Sequence, residues 1–307
     1  MRLGIVGLGG IGGHLAARLA AAGASVSGIA RGRHLAAIRE RGLTLVTPHD
    51  RVHATIEAAE DAHALGPVDV AVFAVKGQDL DTAMDAALPW MEGGALALPM
   101  LNGVEATERL AARFGAERAL IGIARVSAAI EEPGTVRQYT DGARYTIATA
   151  DGHQDRAPVP ALHALFAEAG IDTAETRDAR TDLWRKFAGL AAFAGTTAGA
   201  RVDGPTVAAT PALADLYRAI AGEVAALAAA EGFALEDDLA ERGLGFCASV
   251  APGTRASMAY DLAHAKPLEL DWLNGAVPRL AARHGLAAPA NAAVAALLAP
   301  YREGARG

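Results

Sequence analysis

The chain is short of four things, and each shortage narrows what it can be. Among 307 residues there is a single cysteine, Cys247, so no intrachain disulfide can form and a reducing compartment fits. Lacking a CxxC partner, Cys247 reads as a small buried side chain and not as a nucleophile. Aromatic residues make up 5% against 52% hydrophobic residues in all, so the core has to be built from Ala, Leu, Val and Ile. Lys and Arg number 28 against 35 acidic residues, for a net charge of -7, with no basic block. That balance argues against a nucleic-acid or anionic-membrane surface. Long uninterrupted apolar runs are missing too. The N-terminal stretch is broken by Gly7, Gly9, Gly10, Gly12 and Gly13 and then by His14 and Arg18, which does not suit a signal peptide. No other stretch is long enough to span a bilayer without Gly, Pro or charge. A cytoplasmic protein is expected. The nine histidines show no HExxH-type spacing, so no metal is expected.

What is present alternates. Short apolar runs at 3–7, 26–30, 43–46, 68–75 and 95–100 read as strands. Helical patterns at 11–22, 33–41, 78–90 and 104–114 lie between them. This order predicts an α/β domain, a Rossmann-like doubly wound parallel sheet with helices on both faces. From 119 to 150 the runs ALIGIARVSAAI, TVRQYT and RYTIATA, punctuated by Pro133-Gly134 and Asp141-Gly142, suggest an antiparallel extension of the sheet. A helix at 158–169 and a last strand within 171–176 follow. Beyond about 178 only helices can be read, at 179–198, 211–231, 236–246, 268–284 and 290–302. The expected domains are therefore 1–177, α/β, and 178–307, all-α.

The first strand runs into GLGGIGG, which places Gly7, Gly9 and Gly12 in GxGxxG spacing. The motif is weak alone, but here it leaves a strand and opens a helix, the setting in which it binds a dinucleotide. Gly7 would allow the tight turn, Gly9 the close approach of a pyrophosphate, and Gly12 the packing of helix on strand. The helix start, with Gly10 and Ile11, would offer backbone N–H groups to phosphate. The second strand ends in IARGRH. Where an NAD site carries an acid, this chain has Arg31, with Arg33 nearby. A guanidinium there suits the 2′-phosphate of NADPH, although both arginines also suit a solvated helix start. Lys76 and Asn102 follow later strands and would lie at their carboxyl ends, where ligands of such sheets sit.

In the second half, Lys186 opens an apolar helix face that continues through Leu190, Phe193 or Ala194, and Thr197. It is either a flanking lysine paired with Asp182 four residues before it, or a desolvated proton donor. Ser257 and Asp261 share a face if their segment is helical. Pro267 suits a helix first turn, with Glu269 just inside it.

Five segments in order, GLGGIG, AVKGQ, LNGVE, LWRKF and SMAYDLAHAKPLELDWLNG, resemble the ketopantoate reductases, the 2-dehydropantoate 2-reductases, over nearly the whole chain. The resemblance implies an NADPH-binding Rossmann domain, a helical second domain and a 2-keto acid substrate bound between them. By motif match it implies that Lys186 is the general acid, and that Glu269 holds the substrate hydroxyl. Asn102 would sit beside nicotinamide ribose and substrate, and Ser257 at the substrate carboxylate. Lys76 and Gln78 would line the cofactor cleft, and Arg31 would read the 2′-phosphate. One departure stands out. Leu190 and Ala194 occupy positions where the family carries asparagines. That change predicts a larger, less polar pocket and a bulkier or more apolar keto acid. Two other readings stay open, a non-catalytic NADPH-binding regulator and a related dehydrogenase of the hydroxyacid or opine type. The alanine-rich helices of the second half suit either a homodimer face or internal packing.

Overall fold

The computed structural model describes residues 1–304; the last three residues of the expected second domain, 305–307, lie outside the described residues. The chain divides into two compact units. One comprises Met1–Leu101 and Glu105–Ala179, the other Asn102–Val104 and the chain from Arg180 onward.

The first unit begins with β1 (Arg2–Val6), α1 (Gly10–Ala21), β2 (Ser25–Ile29) and α2 (Gly32–Arg41). A hairpin of β3 (Leu43–Val46) and β4 (Arg51–Ala54) precedes β5 (Glu57–Ala59). After β6 (Val70–Phe73) come α3 (Leu80–Ala86), α4 (Leu88–Glu92), β7 (Leu96–Pro99) and α5 (Ala106–Phe114). The unit ends with β8 (Leu120–Arg125), β9 (Ala128–Glu132), β10 (Thr135–Gln138), β11 (Arg144–Thr149), α6 (Val159–Glu168) and β12 (Asp172–Thr173). The main sheet is parallel, in the order β5-β2-β1-β6-β7. β6 is buried at every position, as a strand covered on both faces must be. The chain travels outward from β1 to β5 and then returns to the other side of β1 with β6. The topological switch point therefore lies between β1 and β6, at the carboxyl ends where ligands bind in such sheets.

The strands after residue 119 do not continue that ladder as one antiparallel extension. β9 and β10 join β3 and β4 in a second, four-stranded sheet, and β8, β11 and β12 form a third. A single bridge, Ala97 to Ala119, links the third sheet to the β7 edge. Helix α1 lies against β1 and β2 and also against β3, β4, β9 and β10. A helix covered from both sides has little use for a polar face, and Gly12 through Ala17 are all buried. His14 is among them, 2% exposed, with Nδ1 2.9 Å from the Tyr145 hydroxyl on β11.

Other departures from the sequence reading have local causes. β4 and β5 were not expected. β5 reads EAA, without strand propensity, and exists because it pairs with β2. Arg39 Nε donates to the Ala58 carbonyl at 2.8 Å and so satisfies part of this edge. The helix expected over 78–90 is two helices, with Pro89 in the first turn of α4.

The second unit contains α7 (Ala179–Ala200), α8 (Gly204–Ala209), α9 (Pro211–Ala230), α10 (Leu239–Ser249), α11 (Ser257–Ala263), α12 (Ala276–Ala281) and α13 (Pro289–Leu298). Among its described residues there is no strand. The expected helix 268–284 is broken instead into a 3₁₀ turn at Leu270–Trp272, then α12, then a second 3₁₀ turn. The core is alanine-rich, as the shortage of aromatics requires, with Ala188, Ala191, Ala192 and Ala194 of α7 inaccessible. Two fully buried amides tie it together. Asn274 Nδ2 donates to the Ala191 carbonyl at 3.1 Å and to Asn291 Oδ1 at 3.0 Å. Asn291 Nδ2 donates to Glu223 Oε2 at 2.7 Å, and the Glu223 carboxylate also accepts the backbone N–H groups of Ala290 and Asn291. Among the described residues no helix is long and apolar enough to cross a membrane.

Two outcomes are expected. His14 has its pKa lowered from 6.5 to about 4, first by burial and then by the charge of Arg18. Between those values the unfolded chain binds a proton that the folded chain does not, so stability falls as pH drops from 6.5 to 4. The contribution is roughly 3 kcal/mol. Urea midpoints measured across that window should fall towards acid, and His14→Gln should flatten the slope. Asn274→Ala leaves the buried Asn291 carbonyl oxygen without its donor, at about 1–3 kcal/mol. Chemical denaturation should register that loss with an unchanged m-value.

Candidate functional site

Two groups of residues carry chemistry, one in each unit. In the first unit a cleft of about 290 Å³ opens over the carboxyl ends of β1 and β2. Its floor is Gly7, Leu8 and Gly9. Ile29, Ala30 and Arg31 line it from the end of β2, His34 from α2, and Val75 and Asp79 from the loop after β6. Gly7 has φ 93°, a conformation that a Cβ would strain. A Cβ on Gly12 would collide with the Gly7 carbonyl oxygen, so this position is what lets α1 press against the loop. Over Gly9, by contrast, a Cβ would meet nothing within 4 Å. The open side of the loop lies there, at the N-cap of α1. Gly10 and Ile11 form the first turn of that helix, where N–H groups have no intrahelical acceptor. These features fit a bound pyrophosphate. Arg31 is the N-cap residue of α2 and is exposed. No carboxylate pairs with its guanidinium among the described residues.

Lys76 and Gln78 sit on the same loop as Val75 and Asp79. Lys76 is the N-cap of the 3₁₀ turn Gly77–Asp79, in which Gln78 is the exposed middle residue. Ile130 of β9 and Ala83 and Ala86 of α3 complete the cleft wall. His34, Asp79 and Ile130 escaped the sequence reading. For His34 the one available signal is its position a helical turn after Arg31.

In the second unit, Lys186, Asn102 and Glu269 are brought together. Lys186 lies in the second turn of α7, and its Nζ donates to Asn102 Oδ1 at 3.1 Å. Asn102 Nδ2 in turn donates to Glu269 Oε2 at 3.2 Å. Asp182, four residues before the lysine, is held by Arg185. Arg185 also grips Glu236, with Nε 3.0 and 2.9 Å from its two oxygens. Those hydrogen bonds are the main reason the Glu236 pKa falls to about 2. Glu269 is 6% exposed. It stands at the N-cap of the 3₁₀ turn Leu270–Trp272 and not inside an α-helix, since the chain from Pro267 does not form one. Next to Asn102, Gly103 has φ 90°, and a Cβ there would come within 2.9 Å of the Trp272 carbonyl oxygen. The loop and the turn can meet only because this residue is glycine.

The remaining candidates of this unit are placed differently from one another. Ser257 is the first residue of α11 and is exposed. Leu190 is one turn beyond Lys186 and partly exposed, whereas Ala194 is wholly inside the core. The Cys247 thiol is buried and its pKa is pushed up to about 11 by desolvation, which is the behaviour of an inert side chain. Among the described residues no group of His, Cys, Asp and Glu could hold a metal ion.

Known proteins share both halves of this arrangement. The family model described as ketopantoate reductase PanE/ApbA matches residues 3–152, and the model for its C-terminal part matches residues 178–302. The 2-dehydropantoate 2-reductase of Mesorhizobium japonicum is 30% identical over 306 residues, covering 91% of each chain. A crystal structure of a PanE/ApbA family ketopantoate reductase from Ralstonia eutropha JMP134 superposes with a TM-score of 0.89 at 29% identity, covering 98% of each chain. D-mandelate dehydrogenase in a ternary structure with NADH and anilino(oxo)acetate has the same fold. Its TM-score is 0.88 at 22% identity, over 98% of both chains. An N-terminal Rossmann-like sheet, a helical C-terminal part and matches over both place the chain in the ketopantoate reductase PanE/ApbA family of oxidoreductases.

Proposed function

We propose that the protein reduces a 2-keto acid to the 2-hydroxy acid with NADPH, with ketopantoate as the leading substrate. The observation that carries this reading is the hydrogen-bonded series Lys186–Asn102–Glu269. It joins a proton donor, an orienting amide and a buried carboxylate. The open side of Gly9, the left-handed Gly7 and the first turn of α1 support a dinucleotide pyrophosphate. Arg31, with no carboxylate partner among the described residues, supports a 2′-phosphate and hence NADPH over NADH. Lys76, Gln78 and Asn102 are the further cofactor contacts of this reading.

When bound, the reduced nicotinamide supplies hydride to the carbonyl carbon. Lys186 gives the carbonyl oxygen a proton as negative charge develops there, and is left as the neutral amine. Asn102 fixes the direction of the lysine head group. Glu269, itself held by Asn102, accepts a hydrogen bond from a substrate hydroxyl, and Ser257 donates to the substrate carboxylate. Leu190 offers hydrocarbon one turn beyond the lysine where an amide would favour a hydroxylated chain. This feature supports a keto acid bulkier or more apolar than ketopantoate as the physiological alternative.

Cofactor oxidation followed with a panel of 2-keto acids, ketopantoate and bulkier apolar ones included, tests the reading. Tight NADPH binding with no turnover of any of them would overturn it. Lys186→Ala should lower kcat by about 10²- to 10⁴-fold and leave the NADPH dissociation constant unchanged. Arg31→Ala should weaken NADPH by roughly ten- to a hundredfold, the worth of a charged hydrogen bond, with little effect on NADH. Parallel titrations with the two cofactors read that difference.

A further inference from the structure

The cleft wall contains one side chain with both of its polar atoms committed to backbone. His34 Nε2 lies 2.8 Å from the Leu8 carbonyl oxygen, and the Gly134 N–H donates to His34 Nδ1 at 3.0 Å. Together these contacts fix the proton. A nitrogen that accepts from an N–H carries no hydrogen, so Nδ1 is bare and the hydrogen of the neutral ring is on Nε2, where it donates to Leu8. Three pieces of chain distant in sequence meet at this imidazole. Leu8 is the middle of the glycine loop, His34 is on α2 one turn after Arg31, and Gly134 is the turn between β9 and β10.

We propose that His34 is a positioning residue for the nucleotide: as the Nε2–H tautomer it locks the Leu8–Gly9 peptide of the phosphate loop to the helix that carries Arg31. The reasoning is geometric. A peptide is planar, so the direction of the Leu8 carbonyl sets the opposite direction of the Gly9 N–H. Holding the carbonyl therefore aims a donor of the loop, and holding it from α2 fixes the spacing between the loop and Arg31. Gly134 supplies the third leg and keeps the ring from turning about its own bonds. Burial lowers the His34 pKa, although its bond to Leu8 acts the other way; a neutral ring is what an accepting Nδ1 demands.

This inference rests on the reading of the cleft as a nucleotide site, and the test separates the two. Glutamine spans the same distance with an accepting oxygen and a donating nitrogen, so His34→Gln can keep both bonds. His34→Leu keeps the bulk and loses both. The full-length variants are compared with the wild type in NADPH titration, steady-state kinetics and thermal melting. His34→Leu should raise the NADPH dissociation constant and KM about tenfold or more, the loss of two neutral hydrogen bonds. Its kcat at saturating NADPH should stay within about twofold, and His34→Gln should bind within about threefold of the wild type. Wild-type affinity in His34→Leu overturns the role of His34 while leaving the nucleotide site intact. So does a His34→Gln as weak as His34→Leu when both melt like the wild type. Failure of the wild type itself to bind NADPH overturns both readings.

Discussion

The hydrogen bond from Lys186 to Asn102 is the contact on which the rest of this protein's design turns. An ammonium on a helix face that runs on into Leu190 and Ala194 has to find a partner or reach water. The nearby Asp182 is held by Arg185, and the Asn102 amide oxygen accepts from the lysine. The Asn102 side chain also uses its nitrogen to hold Glu269, so one amide links the ammonium and the carboxylate.

The surrounding fold serves this economy. Gly103 lets the Asn102 loop meet the turn beside Glu269. Asn274, a few residues beyond that turn, is bonded to the α7 backbone at Ala191. The position of Glu269 relative to the lysine helix is therefore fixed by buried polar contacts, which are directional, as well as by alanine packing, which is not. In the first unit a similar division holds. Leu and Val strands fill the sheet, while the loop under the cleft is shaped by glycine and hydrogen-bonded to a histidine.

Much of this was legible in the sequence, and what was missed has physical reasons. The GxGxxG loop, the parallel strands and the helical second half declare themselves through local periodicity and spacing, because each depends on neighbours within a few residues. β5 does not, since EAA becomes a strand only beside β2. His34 does not, since its partners are 26 and 100 residues away. The break after Glu269 was hidden because Pro267 is as compatible with a helix start as with a turn. Lys186 is the intermediate case. Its spacing to Asp182 was visible, whereas its hydrogen bond to Asn102, 84 residues away in the chain, was not.

The three residues Asn102–Val104 belong to the helical unit although they are encoded within the α/β half. The covalent order and the spatial order thus disagree at one point, and that point carries the partner of the lysine. A gene cut near codon 180 would yield a helical fragment whose lysine had lost its amide, and a sheet fragment with the orphaned loop.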